Sequence, residues 1–147
     1  AYGKMKEKEL TFSAKAQEEL AVFSRAVLRM LAISEGIFQE ENADSLYEAQ
    51  ALREVIGELG AQVRKRHVKR LRKGKCTVEL GFLLADIVTA YERIAAHCAQ
   101  IAVSVVQVWE EDSMEMHGYS IESREKRRDE EQFRTLYEGL RQEYVLP

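Results

Sequence analysis

The fold class predicted is all-α, an antiparallel three-helix bundle with a short C-terminal helix, and three observations predict it. Apolar residues recur at spacings of three and four over long stretches instead of alternating. Pro147 is the sole proline, so nothing internal breaks a helix. The 147 residues, 46% hydrophobic and 32% charged, are enough for one globular core and exclude a disordered chain, a collagen-like repeat and a disulfide scaffold. The longest apolar runs, Gly81 to Ala85 and Ile101 to Val108, fall far short of the ~18 to 20 residues that cross a bilayer, so a soluble chain is expected. It opens on Ala1 without a charged-then-apolar leader, which predicts no signal peptide and allows a piece of a longer protein. Residues 1–12 read as a flexible tail or linker, 13–110 as the bundle, and 111–147 as a polar connector with a terminal helix.

The first helix is expected to start at Thr11 or Ser13, either of which can cap free amides, and to run to about Glu41. Its inward set is Leu20, Phe23, Val27, Met30, Leu31, Ser34 and Phe38. Asn42 and Asp44 interrupt the pattern, and Asp44 or Ser45 caps a second helix with Leu52, Ile56, Leu59 and Val63 on one stripe. Gly57 and Gly60 inside it each cost about 1 kcal/mol relative to alanine, which points to a close helix crossing or a mild kink. Residues 64–75, RKRHVKRLRKGK, end this helix with eight of the chain's 22 Lys and Arg and no acid. The other 14 cations face all 25 acids, a balance of −11. Cations suit the carbonyl end of a helix dipole, and Gly74 supplies the exit.

The third helix, expected from Thr77 to Glu110, is the most apolar of all. One stripe carries Leu80, Ile87, Tyr91, Ile94, Cys98, Ile101, Val105 and Val108 and is expected to face the core. A second face carries Ala85, Val88, Ala95, Ala96, Ala99, Ala102, Val103 and Val106, leaving Asp86, Arg93, His97, Gln100, Ser104 and Gln107 as a narrow polar line. That second face either meets another subunit or domain, its alanines permitting close approach, or is flanked within the same chain. Residues 130–144 form the terminal helix through Phe133, Leu136, Tyr137 and Leu140.

Glu92 interrupts the small-residue face, where a carboxylate needs a cation: pairing with a lysine or arginine is the common outcome, a metal ligand the functional one. Asp86, Arg93 and His97 stand whole turns apart, as a hydrogen-bonded ladder or a solvated face. His67, inside the basic run, is expected to bind protons less readily than a free histidine. Cys76 and Cys98, read on one helix, lie about 33 Å apart, out of disulfide reach, and suit free thiols in a reducing compartment. No nucleophile is matched with a base and no glycine-rich phosphate loop occurs, which disfavours an enzyme. The basic run reads as a solvated helix end, a phosphate contact or a patch facing anionic lipid; lacking interleaved aromatics, it does not suit nucleic acid.

The segment Tyr91-Glu-Arg-Ile-Ala-Ala-His-Cys-Ala-Gln-Ile-Ala102 resembles the ERI-x-DH-x-x-NIA signature of PhoU-like domains. Together with Arg66-His-Val-Lys-Arg-Leu71, Gly74-Lys-Cys76, Gly81, His117-Gly-Tyr119 and Phe133-x-x-Leu-Tyr137 to Tyr144-Val-Leu-Pro147, it resembles the C-terminal cytoplasmic domain of bacterial sodium/phosphate cotransporter family proteins. The resemblance implies an antiparallel helical bundle at the cytoplasmic face of the inner membrane that regulates phosphate uptake and catalyses nothing. Its implied partners are the transporter's membrane domain, in cis, or in trans for a free-standing PhoU-like regulator, a second copy through helix three, and anionic lipid. Arg66, His67, Lys69, Arg70, Arg93 and His97 are then the partner or anion contacts.

The family's metal clusters use acids one helical turn apart, and here both pairs are broken. Glu92 is followed by Ala96, Arg53 and Gly57 stand where the other pair would be, and Gln100 replaces an asparagine. No cofactor is certain; a divalent or trivalent metal would draw on Glu92, Asp86 and Glu54, with Glu58 nearby, and a metal-dependent helical-bundle protein is the remaining reading.

Overall fold

A computed structural model describes residues 12–40, 44–117 and 122–147. Four helices, α1 (Ala14–Glu40), α2 (Asp44–Arg72), α3 (Val78–His117) and α4 (Glu122–Glu143), hold most of them, and no strand occurs among the described residues.

The boundaries have local causes. Ser13 Oγ accepts the Ala16 amide at 3.2 Å, and Thr77 Oγ1 accepts that of Leu80 at 3.2 Å, so a hydroxyl caps the start of α1 and of α3. At the end of α2, Lys75 N donates to Arg70 O at 2.9 Å and Gly74 N to Leu71 O at 3.1 Å, while Gly74 takes a φ of 70°. This paired 6→1 and 5→2 closure needs a left-handed residue that glycine adopts without a Cβ penalty. Cys76 falls in this turn instead of on α3, and both cysteines are free.

α2 is the centre of the bundle: it packs on α1, α3 and α4, α1 also packs on α3, and α4 lies on α2 alone among the described helices. Its buried residues run from Ala49, Ala51 and Leu52 through Val55, Ile56 and Leu59 to Val63, wider than the single expected stripe because it has three neighbours. On α1, Phe23, Val27, Met30 and Ser34 are buried as expected, but Leu31 is 44% exposed and Ile37 takes an inward place. The expected Phe38 side chain lies outside the described residues.

The orientation of α3 corrects the expectation in part: of the expected inward stripe Leu80 and Cys98 are buried and Ile87, Tyr91 and Val105 pack half-buried against the core. Val88, Ala95, Ala99 and Ala102 are buried in the core, whereas Ile94, Ile101 and Val108 are exposed. On α2, Gly60 has no Cβ, and the space one would take is filled from α3 by the Glu92 carboxylate and by Val88, which a Cβ would meet at 3.2 Å. Gly57, by contrast, has nothing within 4 Å and marks no crossing. The polar segment expected as a connector is largely helical, α3 continuing to His117 and α4 beginning at Glu122, and residues 118–121 lie outside the described residues. The expected tail lies there too, apart from Phe12, which is buried. Among the described residues no helix is long and apolar enough to cross a membrane.

A cationic cleft as candidate functional site

Residues 66, 69 and 70 fall on one face of the last turns of α2, and the bonded turn that follows brings Lys73 and Lys75 back beside them. Arg66, Lys69, Arg70, Lys73 and Lys75 thus converge with Lys15 from the start of α1, and with Ser13, Glu19 and Pro147 they line a cleft of about 460 Å³. Five of the eight cations of the basic run therefore share one surface, and Arg64, Lys65 and Arg72 lie outside its lining.

At the floor of the cleft stands Glu19, whose side chain is fully buried. Arg70 grips both its oxygens, with Nη1 at 3.0 and 3.1 Å and Nη2 at 3.1 Å, and Arg66 Nη1 adds a contact at 3.3 Å. A buried carboxylate without these partners would be strongly unfavourable, so the two arginines are counter-ions first. Arg66 also donates to the Pro147 carbonyl oxygen, which ties the segment after α4 to the cleft rim. The ammonium groups of Lys15, Lys69, Lys73 and Lys75 have no ion-pair or hydrogen-bond partner among the described residues.

The other predicted contacts lie elsewhere. His67 is buried on another side of α2, with Cys76 Sγ 3.3 Å from Nδ1 and with Gly81 leaving room for the ring: a Cβ there would stand 2.6 Å from Nε2. Desolvation first, and the charge of Arg70 second, hold its pKa below the ordinary 6.5; the direction is the one expected, but burial and not the basic run is its main cause. The ring borders an apolar groove of about 340 Å³ that includes Val68, Leu71, Val78 and Phe82. Arg93, His97 and Asp86 are exposed on α3 and make no ladder among the described residues.

Of the three candidate metal ligands, Glu92 is held by Arg64, Nη1 to Oε1 at 2.9 Å and Nη2 to Oε2 at 3.3 Å, with Arg64 also donating to Thr89 Oγ1. Asp86 and Glu54 are exposed. Among the described residues no three His, Cys, Asp or Glu side chains converge as a metal requires.

Sequence reasoning missed Lys15, Glu19, Lys73 and Lys75 as site residues. Glu19 carried a signal: it sits three residues after Ala16 and four before Phe23, inside the inward register of α1, where an acid requires a partner.

No curated protein and no solved structure matches the chain. The family model described as the PhoU domain does, over residues 20–105, from the second turn of α1 through most of α3 and including both the 66–71 and the 91–102 segments. More than half of the sequence is matched, and the chain belongs to the PhoU domain family.

Proposed function

We propose that this chain is the cytoplasmic regulatory domain of a sodium-dependent phosphate transporter, docked on that transporter's membrane domain in cis. The PhoU domain match over residues 20–105 carries the reading, because this family is associated with regulating phosphate transport and not with catalysis. The ordered likeness of the 66–71, 74–76, 91–102 and 133–147 segments to the C-terminal domain of sodium/phosphate cotransporters favours the attached form. In this reading the exposed edge of α3, with Ile94, Ile101 and Val108, offers apolar area to a partner, a second copy included, and the lysines at the end of α2 face the membrane side.

The test is phosphate uptake by the intact gene product in cells that lack other uptake systems, with and without residues 13–147. Uptake is expected to persist in the shortened protein but to lose its response to external phosphate. Identical uptake and identical response in both would overturn the reading. Membrane spans encoded ahead of residue 1 would support attachment in cis, and their absence would favour a free-standing regulator acting in trans.

A further inference from the structure

We infer that the cleft between the start of α1 and the end of α2 binds a multiply charged phosphate anion, held by Lys15, Lys69, Lys73 and Lys75. Six cations line it and Glu19 offsets one of them, so a strong positive field is concentrated in a concavity. Four of the six have unpartnered ammonium groups, which repel one another until an anion enters. Arg66 and Arg70 are pinned on Glu19 and form a positive back wall that cannot swing away.

The volume, about 460 Å³, lies within the roughly 300–1,000 Å³ of small-molecule sites and exceeds what one orthophosphate fills. Ser13 adds a hydroxyl: its oxygen accepts the Ala16 amide, which leaves its proton free to donate into the cleft. The two helix ends that meet here have opposite dipole signs, so side-chain charge and not the backbone sets the preference. Lys69 stands on the last turn of α2, and Lys73 and Lys75 are placed by the bonded turn that follows, Lys73 N donating to Lys69 O at 3.2 Å and Lys75 N to Arg70 O at 2.9 Å, so three of the four lysines project from a fixed frame. A clustered phosphate, free in solution or carried on a lipid headgroup, is the chemistry that matches. Its meaning as a regulatory signal rests on the reading proposed above; the binding itself does not.

The test is calorimetric titration of the full chain with sodium tripolyphosphate and with orthophosphate at about 150 mM salt, where long-range attraction is screened. In parallel, the chain is sedimented with vesicles of roughly three parts phosphatidylcholine to one part cardiolipin, whose headgroup carries two phosphates. Tripolyphosphate is expected to bind one per chain, and Lys69→Gln with Lys73→Gln to weaken it by about tenfold or more. Removing the same charge outside the cleft, with Lys65→Gln and Arg72→Gln, is expected to change affinity by less than about twofold. Vesicle binding that disappears in the Lys69/Lys73 variant, with no binding of the soluble anion, supports the same site and identifies a headgroup as its source. Binding of neither probe, or equal weakening by both double variants, overturns the proposal. Such a failure leaves the uptake test untouched, and identical uptake and response with and without residues 13–147, alongside intact anion binding, refutes the regulatory reading alone.

Discussion

Replacing Arg70 by methionine strands a carboxylate in the core. Arg70 makes three of the four guanidinium contacts to Glu19, and its side chain is only 14% exposed while that of Glu19 is 0% exposed. Removing one partner of such a pair costs about 3–5 kcal/mol, and because Arg66 still reaches Oε1 at 3.3 Å the lower end, about 3 kcal/mol, is expected. At this chain length that corresponds to a fall in melting temperature of roughly 6–12 °C. Arg66→Met removes one longer contact from a more exposed side chain and is expected to cost about 1 kcal/mol. The double variant Glu19→Met, Arg70→Met deletes both charges and should recover most of the loss, since apolar replacement of a buried pair is often neutral or better. Urea unfolding followed by circular dichroism at neutral pH measures all three. A loss below about 1 kcal/mol for Arg70→Met, or a double variant no more stable than that single one, would refute the assignment of Arg70 as the counter-ion. The result also governs how the cleft can be probed: substituting either arginine perturbs folding, so the lysines are the clean positions.

Two glycines on facing helices should respond with opposite sign. Gly81→Ala drives a methyl into the His67 ring, a rigid group already backed by Cys76, and should destabilise by about 1–3 kcal/mol, whereas Gly57→Ala meets nothing within 4 Å and should stabilise by about 0.5–1 kcal/mol. Thermal melts of the two variants check this. His67 should also make stability depend on pH: its folded pKa lies below 6.5, so the unfolded chain takes up the proton first. That contribution is whole above the unfolded value and is lost as pH falls below it toward the folded value; His67→Gln should flatten this part of the urea-midpoint profile, and an unchanged slope would count against it.

The start of α1 and the turn from α2 to α3 were legible because they depend on chemistry a few residues wide, whereas the end of α3, at His117 and not Glu110, and the start of α4 at Glu122 lie in a polar segment without such a signal. Ser13 and Thr77 offer hydroxyls three residues before an amide that needs one, and Gly74 follows a run that cannot otherwise turn. The inward face of α3 was legible only in part, Leu80, Ile87, Tyr91, Cys98 and Val105 meeting the core but Ile94, Ile101 and Val108 not, for a physical reason. Hydropathy ranks Ile94 and Ile101 above Ala95 and Ala102, so a stripe drawn from α3 alone turns the isoleucines inward. What α3 turns toward α2 depends also on Gly60, about thirty residues earlier on another helix, where Glu92 and Val88 occupy the space a Cβ would take. Val88 and Glu92 seat in that gap, Ala95, Ala99 and Ala102 follow them on the same side of α3, and Ile94 and Ile101 are left at the rim.

The basic run was visible as a block of charge, but its division of labour depends on one residue of α1. Glu19 lies about fifty positions before its partners, and without it Arg66, Lys69 and Arg70 look interchangeable. With it they separate by residue type: planar guanidinium forks satisfy a desolvated carboxylate, while the lysines, compact charges on flexible stems, remain turned to the opening. The buried pair does more than neutralise itself. It fastens the last turns of α2 to the second turn of α1, and those two segments are the opposite walls of the cleft. The spacing of Lys15 from Lys69 and Lys73 is therefore set by a carboxylate below the cleft surface, and an anion bound there would depend for its fit on a contact it does not itself make.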